Sequence, residues 1–478
     1  MVESLKNKTV KGTVWSTLER FSVQGIQFVV MIIMARLLTP EDYGLVGMLA
    51  IFIAVSQSLI DSGFSQALIR KQDRSEVDNS TVFYFNIGVG IVLYFILFFS
   101  APLIADFYKE PQLVPITRAI GLSLVFNSLV VVQRALLTIK LDFKTQAKAS
   151  ATGAIVSGIL GIWMAYSGFG VWAIVWQQLS NLAVITILLW ILSHWKPIWA
   201  YSWTSFKELF GFGSKLLASG LLDTLYRNLY LIVIGKVFKA SDLGYYTRAH
   251  QFTDFASSNV TGILQRVTYP VLCTIQDDDA RLADVYRRLL KTSAFIIFPL
   301  MMGLAAVARP MILSFLTEKW LFSAVIIEVL CFSQMWYPVH AINLNLLQVK
   351  GRSDLFLRLE IIKKILGVSM LCITLPLGLI PMCWGMMANS IIALIINTHY
   401  TGKLISLGFL AQMKDLLPTL LLSLGVGAVV YFTVSLITMN SWALLCLGVA
   451  EGIILYVGFA KLLRFSEFRE LTGILRRK

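Results

Sequence analysis

Fourteen long apolar runs leave this chain very few possible folds. Their approximate limits are 13–38, 43–69, 81–107, 113–138, 148–167, 169–193, 208–235, 242–270, 286–308, 322–348, 355–379, 382–402, 416–438 and 442–463. About 20 consecutive apolar residues cross a bilayer as a helix. Inside hydrocarbon only helices and closed barrels satisfy every backbone polar group. A barrel strand spans about ten residues and alternates in polarity, whereas these runs are longer and continuous. The expected fold class is therefore an all-α polytopic membrane protein. Only 14% of the residues are charged, where a soluble domain carries about a quarter. The first run holds Glu19 and Arg20 and lacks a small-residue cleavage pattern, so it reads as a span and not as a signal peptide.

The formal net charge is +14. In a soluble protein that excess would point to nucleic acid, but here the basic residues sit in short loops between spans. The N-tail, the even-numbered loops and the C-tail hold 31 of the 41 Lys and Arg, and the odd-numbered loops hold 8. Such a bias places both termini in the cytoplasm. The five cysteines and four histidines show no metal-ligand spacing. No cofactor, metal or nucleic-acid partner is expected. Trp190, Trp195, Trp199 and Trp203 read as an interfacial anchor for the segment after span six.

An internal repeat organises the runs. Ala35–Gly44 reads Ala-Arg-Leu-Leu-Thr-Pro-Glu-Asp-Tyr-Gly, and Gly235–Gly244 reads Gly-Lys-Val-Phe-Lys-Ala-Ser-Asp-Leu-Gly. Arg36 pairs with Lys236, Asp42 with Asp242 and Gly44 with Gly244 at a constant offset of 200. Both stretches read as tight outward hairpins, since Pro40 ends one helix and acidic groups favour the start of the next. Six spans separate the copies, so the repeat is parallel, with its axis along the membrane normal. The expected organisation is an N-lobe at 1–200, a C-lobe at 201–404 and two further spans with a basic tail at 405–478. Two six-helix lobes would face each other across a central cleft lined by spans one, two, seven and eight.

Ionisable groups in hydrocarbon cost at least about 2.5–3.5 kcal/mol, so they normally face water or a partner. In span one, Arg20, Gln24 and Gln27 follow i, i+4, i+7 and form one stripe beside Glu19. Span seven carries Asp223 and Arg227 at i, i+4. Arg20 and Arg227 fall on equivalent faces but seven residues apart in depth, about 10 Å along a helix. Span two has Gln57, Asp61 and Ser65; span eight has His250, Asp254 and Ser258, with Arg248 nearer the outer mouth; Arg118 lies in span four. The bland alternatives are a structural Asp223–Arg227 pair and an Arg118 that snorkels to the surface. Glu328, Glu360 and Glu451 read as structural or interfacial. No Walker motif, nucleophile elbow or other catalytic constellation is present.

The run at 35–44 resembles the signature of polysaccharide-biosynthesis transporters, the Wzx-type lipid-linked oligosaccharide flippases of the multidrug/oligosaccharidyl-lipid/polysaccharide superfamily. Leu243-Gly244-Tyr245-Tyr246-Thr247-Arg248-Ala249 resembles the matching run of the second half. That resemblance implies two six-helix lobes in a bacterial inner membrane, working by alternating access. It implies a transporter and not an enzyme, moving undecaprenyl-diphosphate-linked sugars from the cytoplasmic to the periplasmic leaflet. Its partners would be that lipid-linked oligosaccharide, membrane lipids and the machinery that polymerises the exported unit. The diphosphate would suit Arg20, Arg227, Arg248 and Arg118, with Gln24 and Gln27 beside them. Glu19, Asp61, Asp223 or Asp254 would pair with the arginines or carry a coupling proton or sodium ion. Two rivals stand: a cation-coupled multidrug exporter of the same superfamily, whose cleft should be net acidic, and a membrane-embedded glycan polymerase or glycosyltransferase, which needs a catalytic segment longer than any loop here.

Overall fold

The computed structural model describes Trp15, residues 22–61 and residues 63–476. Apart from the connecting turns these residues are helical, and no strand occurs among them. The chain divides into two compact units, one ending at Gly244 and the other beginning at Tyr245.

The first unit contains α1 (Ser22–Leu37), α2 (Pro40–Asp61), α3 (Phe64–Arg70), α4 (Glu76–Tyr108), α5 (Leu113–Ser128) and α6 (Val131–Ile139). It continues through α7 (Phe143–Tyr166), α8 (Val171–Ser193), α9 (Trp203–Val237) and the first turn of α10 (Ala240–Cys273). The turn into α2 is closed by its own sequence. Thr39 donates its backbone N–H (2.8 Å) and its hydroxyl (2.7 Å) to Asp42 Oδ2, and Asp42 N–H donates back to Thr39 Oγ1 at 3.3 Å. These bonds satisfy orphan donors at the helix start. In the copy, Lys239 N–H donates to Asp242 Oδ2 at 3.2 Å. The glycines that close both motifs meet backbone. A Cβ on Gly44 would sit 1.7 Å from the Ala240 carbonyl oxygen, and one on Gly244 would sit 1.8 Å from the Pro40 carbonyl oxygen. Pro40 and Ala240 are themselves related by the 200-residue offset, so the two hairpins cross reciprocally.

On α7, Ala149, Gly153, Ala154, Ser157, Gly158, Gly161 and Ala165 are all buried. Small residues let membrane helices approach closely, where dispersion rather than water exclusion drives association. The opposite end of the unit is laced by polar contacts. Ser75 and Asp78 cap α4 reciprocally. Trp195 Nε1 donates to Glu76 (2.7 Å), Ile198 N–H to Ser80 (3.0 Å) and Ser202 N–H to Thr81 (3.0 Å). Lys71 bridges Asp78 and Glu208 at 3.2 and 2.9 Å. The hydrogen bond to Glu208 is the largest influence on Lys71 and holds its ammonium pKa above the usual value. The tryptophan segment is thus divided in use: Trp195 is buried, while Trp199 and Trp203 are exposed.

The second unit holds the rest of α10, then α11 (Asp279–Ala306), α12 (Ala308–Phe315), α13 (Leu321–Gln334) and α14 (Tyr337–Val349). It ends with α15 (Ser353–Thr374), α16 (Leu379–Ile405), α17 (Phe409–Leu436), α18 (Ser441–Leu462) and α19 (Ser466–Arg476). A forked Arg287–Asp415 pair ties α11 to α17. Lys291 and Glu467 tie α11 to α19 at 2.6 Å.

Among the described residues, eleven helical stretches are long and apolar enough to cross a membrane. The other three expected spans coincide with α1, which is shorter, and with α10 and α15. Two spans expected as single helices are broken midway, at Leu129–Val130 between α5 and α6 and at Met335–Trp336 between α13 and α14. A break frees carbonyls that lipid cannot satisfy. At the first break Trp190 Nε1 donates to the Leu129 carbonyl at 3.0 Å and the Thr186 hydroxyl to Phe126 at 3.3 Å. At the second the Ser257 hydroxyl donates to the Gln334 carbonyl at 2.9 Å and Ser390 to Ser333 at 3.3 Å. Spans four and ten are counterparts in the repeat, and both are broken.

Candidate functional site

Among the described residues, the first unit presents one charged pair in the middle of a membrane-length helix. Leu217–Val237 of α9 is apolar enough to span, yet Asp223 and Arg227 lie within it. Their i, i+4 spacing brings Arg227 Nε to 2.7 Å from Asp223 Oδ2. The two side chains are nevertheless 72% (Arg227) and 47% (Asp223) exposed. The other side of α9 is packed. The Ser58 and Thr224 hydroxyls share a hydrogen bond at 3.2 Å between α2 and α9, and Gly235 lies against Met48 and Tyr108. One side of α9 therefore docks and the other carries an open ion pair. A charged side chain held in hydrocarbon costs about 2.5–3.5 kcal/mol or more, which favours water over lipid on the open side.

The remaining candidates of the first unit lie on other helices. Gln24 on α1 is half-buried, and its Oε1 is enclosed without a hydrogen bond among the described residues. Gln27 is exposed. Glu19 and Arg20 lie outside the described residues, and with them the expected depth step from Arg20 to Arg227. Asp61 ends α2 and accepts from the Ser65 hydroxyl across the α2–α3 turn at 2.5 Å. Arg118 has different surroundings. Its guanidinium sits 4.5 Å from the Phe98 ring centroid, and its Nε donates to the Phe98 carbonyl at 3.4 Å. These contacts hold it against α4, with ring and carbonyl replacing water.

In the second unit, α10 carries Arg248 and His250, both half-buried, and Asp254, which is exposed. The His250 ring lies 5.8 Å from that of Tyr246. The spacing of His250 and Asp254 puts them on one face, one turn apart.

Sequence reasoning passed over a polar cluster deep in the second unit. Gln412 Nε2 donates to Asn343 Oδ1 (3.1 Å), Tyr286 Oη (3.3 Å) and the Leu407 carbonyl (2.9 Å). Asn343 Nδ2 donates to Gln412 Oε1 at 3.1 Å, and the Thr401 hydroxyl to Asn343 Oδ1 at 2.7 Å. One turn before Asn343 on α14, His340 reaches α16: its Nε2 meets Ser390 Oγ at 3.1 Å, and Asn397 Nδ2 meets its Nδ1 at 3.2 Å. These residues are amides, hydroxyls and one imidazole scattered over four helices. Their only trace in the sequence is that polar groups inside apolar runs demand partners.

With this arrangement in view, comparison with known proteins is informative. A family model described as polysaccharide biosynthesis protein matches residues 33–325, more than half of the chain. Over 465 residues the chain is 26% identical to the teichuronic acid biosynthesis protein TuaB of Bacillus subtilis, with 95% of each covered. It is 25% identical over 439 residues to the lipopolysaccharide biosynthesis protein WzxC of Escherichia coli, with 89% of each covered. Among solved structures it is similar to the lipid II flippase MurJ in an inward closed conformation. The TM-score is 0.75 at 16% identity, covering 96% of this chain and 100% of that one. At that identity the likeness shows the fold.

Proposed function

We propose that this chain, which belongs to the polysaccharide biosynthesis protein family, is a flippase that moves lipid-linked oligosaccharide units across a membrane. The observation that carries this reading is the open Asp223–Arg227 pair midway along α9. A sugar headgroup cannot cross hydrocarbon, because each unsatisfied polar group costs several kcal/mol. A wetted face with a fixed cation gives that headgroup a path while the prenyl tail stays in lipid. Guanidinium suits the task, since it binds phosphate in a fork and keeps its proton throughout.

The finer reading is an undecaprenyl-diphosphate carrier moving from the cytoplasmic to the periplasmic leaflet of a bacterial inner membrane, with both termini inside. The loop-charge bias supports this direction. With the interior negative, each full charge carried outward gains about 2.3 kcal/mol per 100 mV. The lobes at 1–200 and 201–404, with 405–478 appended, would exchange access between the two sides. Arg20, Gln24, Gln27, Arg118, Arg227 and Arg248 would meet the diphosphate and sugar. Glu19, Asp61, Asp223 and Asp254 would pair with them or carry a coupling proton or sodium ion. Asp223 already holds Arg227, which avoids a bare charge when the site is empty. The exported unit would pass to the polymerising machinery.

Reconstitution in vesicles with a defined lipid-linked oligosaccharide tests the reading. Arg227→Ala should abolish transport with insertion intact, and Arg227→Lys should restore part of it, because charge returns without the fork. Near-normal transport by an Arg20→Ala, Arg227→Ala double variant at equal protein level would remove these arginines from the substrate path.

A further inference from the structure

The last two membrane-length helices hold a carboxyl group that their sequence does not explain. Glu451 is the eleventh of the 22 residues of α18, a helix long and apolar enough to cross a membrane. Either end of the helix lies about 15 Å away at 1.5 Å per residue. The residue is half-buried, on the side of α18 that docks. One turn before it a Cβ on Gly448 would sit 2.8 Å from a Val307 methyl and 3.0 Å from a Val434 methyl of α17. Just after it a Cβ on Gly452 would lie 3.6 Å from a Val430 methyl. Val307, Val430, Val434, Leu445, Leu455 and Tyr456 share one apolar cluster. Inside this seam the Thr433 hydroxyl of α17 donates to Glu451 Oε1 at 3.0 Å. Oε2 is enclosed and makes no hydrogen bond among the described residues.

The charged groups of the surrounding helices are engaged or distant. Arg309 on α12 is exposed and acts through its charge on Glu328 of α13. The charges of α11 all lie at or before Lys291, which pairs with Glu467 of α19. On α17, Lys414 and Asp415 lie about 27 Å along the helix from Thr433, and on α18 Lys461 lies about 15 Å from Glu451. Of the neutral titratable groups, the Tyr456 hydroxyl donates to the Phe295 carbonyl at 2.9 Å, and Tyr431 and Cys446 are exposed. None of these groups bonds Glu451 among the described residues. An ionised carboxylate at this depth with no cation beside it is costly, and a neutral carboxyl much less so. A metal cation would need several oxygen ligands at one point, and no group of three His, Cys, Asp or Glu among the described residues could hold one. A proton needs a single oxygen.

We propose that Glu451 is a proton-binding site. Oε2 carries a proton taken from water while α18 lies closed on α17, and Oε1, as the carbonyl oxygen, accepts from Thr433. Release of that proton to water leaves a bare carboxylate in the seam, which draws water between α17 and α18. The two helices beyond the repeat thus form a proton-sensitive pair. Its use in coupling transport to a proton gradient rests on the flippase reading; the proton site itself does not.

The test uses the full chain in phosphatidylcholine bilayers, read by infrared spectroscopy in H2O and D2O at neutral pH without substrate. The wild type should show a protonated-carboxyl C=O band that shifts in D2O, and Glu451→Gln should lack it. Gln keeps the shape and an acceptor for Thr433 and has no proton to lose. Thr433→Val should keep the band and move it to higher frequency, because Thr433 positions the carbonyl oxygen. Identical carboxyl spectra for wild type and Glu451→Gln overturn the site; if that variant fails to fold, an unmoved band in Thr433→Val does so. In vesicles with a defined lipid-linked oligosaccharide, reversing a pH gradient should change the wild-type rate severalfold and leave the Glu451→Gln rate unchanged. A Glu451→Gln variant that follows the gradient like the wild type overturns the coupling role, and a response to a sodium gradient in its place overturns the choice of ion. Should the wild-type chain move no lipid-linked oligosaccharide, the flippase reading fails, and the infrared spectra still decide whether Glu451 holds a proton.

Discussion

Two pairs of buried amides, one pair in each unit, are treated in opposite ways. In the second unit Asn343 and Gln412 are buried and bond to each other, to Thr401, to Tyr286 and to the backbone. In the first unit Asn86 and Gln133 are completely buried, and neither amide makes a hydrogen bond among the described residues. A satisfied network in a low dielectric fixes its helices, while an unsatisfied amide carries the full desolvation cost of its polar atoms. The same residue type therefore pins one interior and burdens the other. An Asn or Gln inside an apolar run reveals nothing about stability until its partner is known.

Four substitutions would break or sharpen this contrast. The largest effect is expected from Gln412→Leu, which strips partners from Asn343, Tyr286 and the Leu407 carbonyl at once. It should cost about 2–3 kcal/mol and lower the melting temperature in detergent; a melting curve that matches the wild type would show that the network is not what holds α17. Asn86→Leu and Gln133→Met should be smaller and of opposite sign, neutral or stabilising by up to about 1 kcal/mol, because removing an unpaired amide removes its burial cost. A clear drop in thermal stability for either would mean that the first unit also satisfies its amides, and the contrast would collapse. The smallest effect belongs to an exposed pair. Asp354 lies at the start of α15, and a hydrogen bond from Arg352 lowers its carboxyl pKa from 3.8 to about 2. A depressed carboxylate stabilises above its unfolded pKa, and the contribution fades as pH falls through the folded one. Asp354→Asn should therefore melt close to the wild type at neutral pH, with any difference vanishing as the pH drops from 3.8 to about 2. A large, pH-independent loss would give this surface pair the weight assigned to the buried network.

The legible parts of the site share one property: they depend on neighbours in sequence. The Asp223–Arg227 pair was readable because i, i+4 spacing alone brings its charges together. The Thr39–Asp42 turn was readable from Pro40 and the acidic residues after it. Arg118 was less so, because its contact with Phe98 joins two helices.

Taken alone, the sequence determined the all-α class, the spans, the repeated hairpin and the charge bias of the loops. These follow from the cost of unpaired backbone groups in hydrocarbon and from local capping chemistry, which act over a few residues. Only the tertiary structure decided which side of α9 docks on α2 and which holds an open ion pair. It also decided why Gly44 and Gly244 have no side chain, since each meets a carbonyl of the other hairpin, that of Ala240 and that of Pro40. The breaks at Leu129 and Met335 belong here too. Neither contains a proline or glycine, and each is stable because a tryptophan or serine from another helix takes up the carbonyls it frees. Hydrogen-bond partners that lie 61 and 77 residues apart are set by packing, and periodicity along one helix carries no record of them.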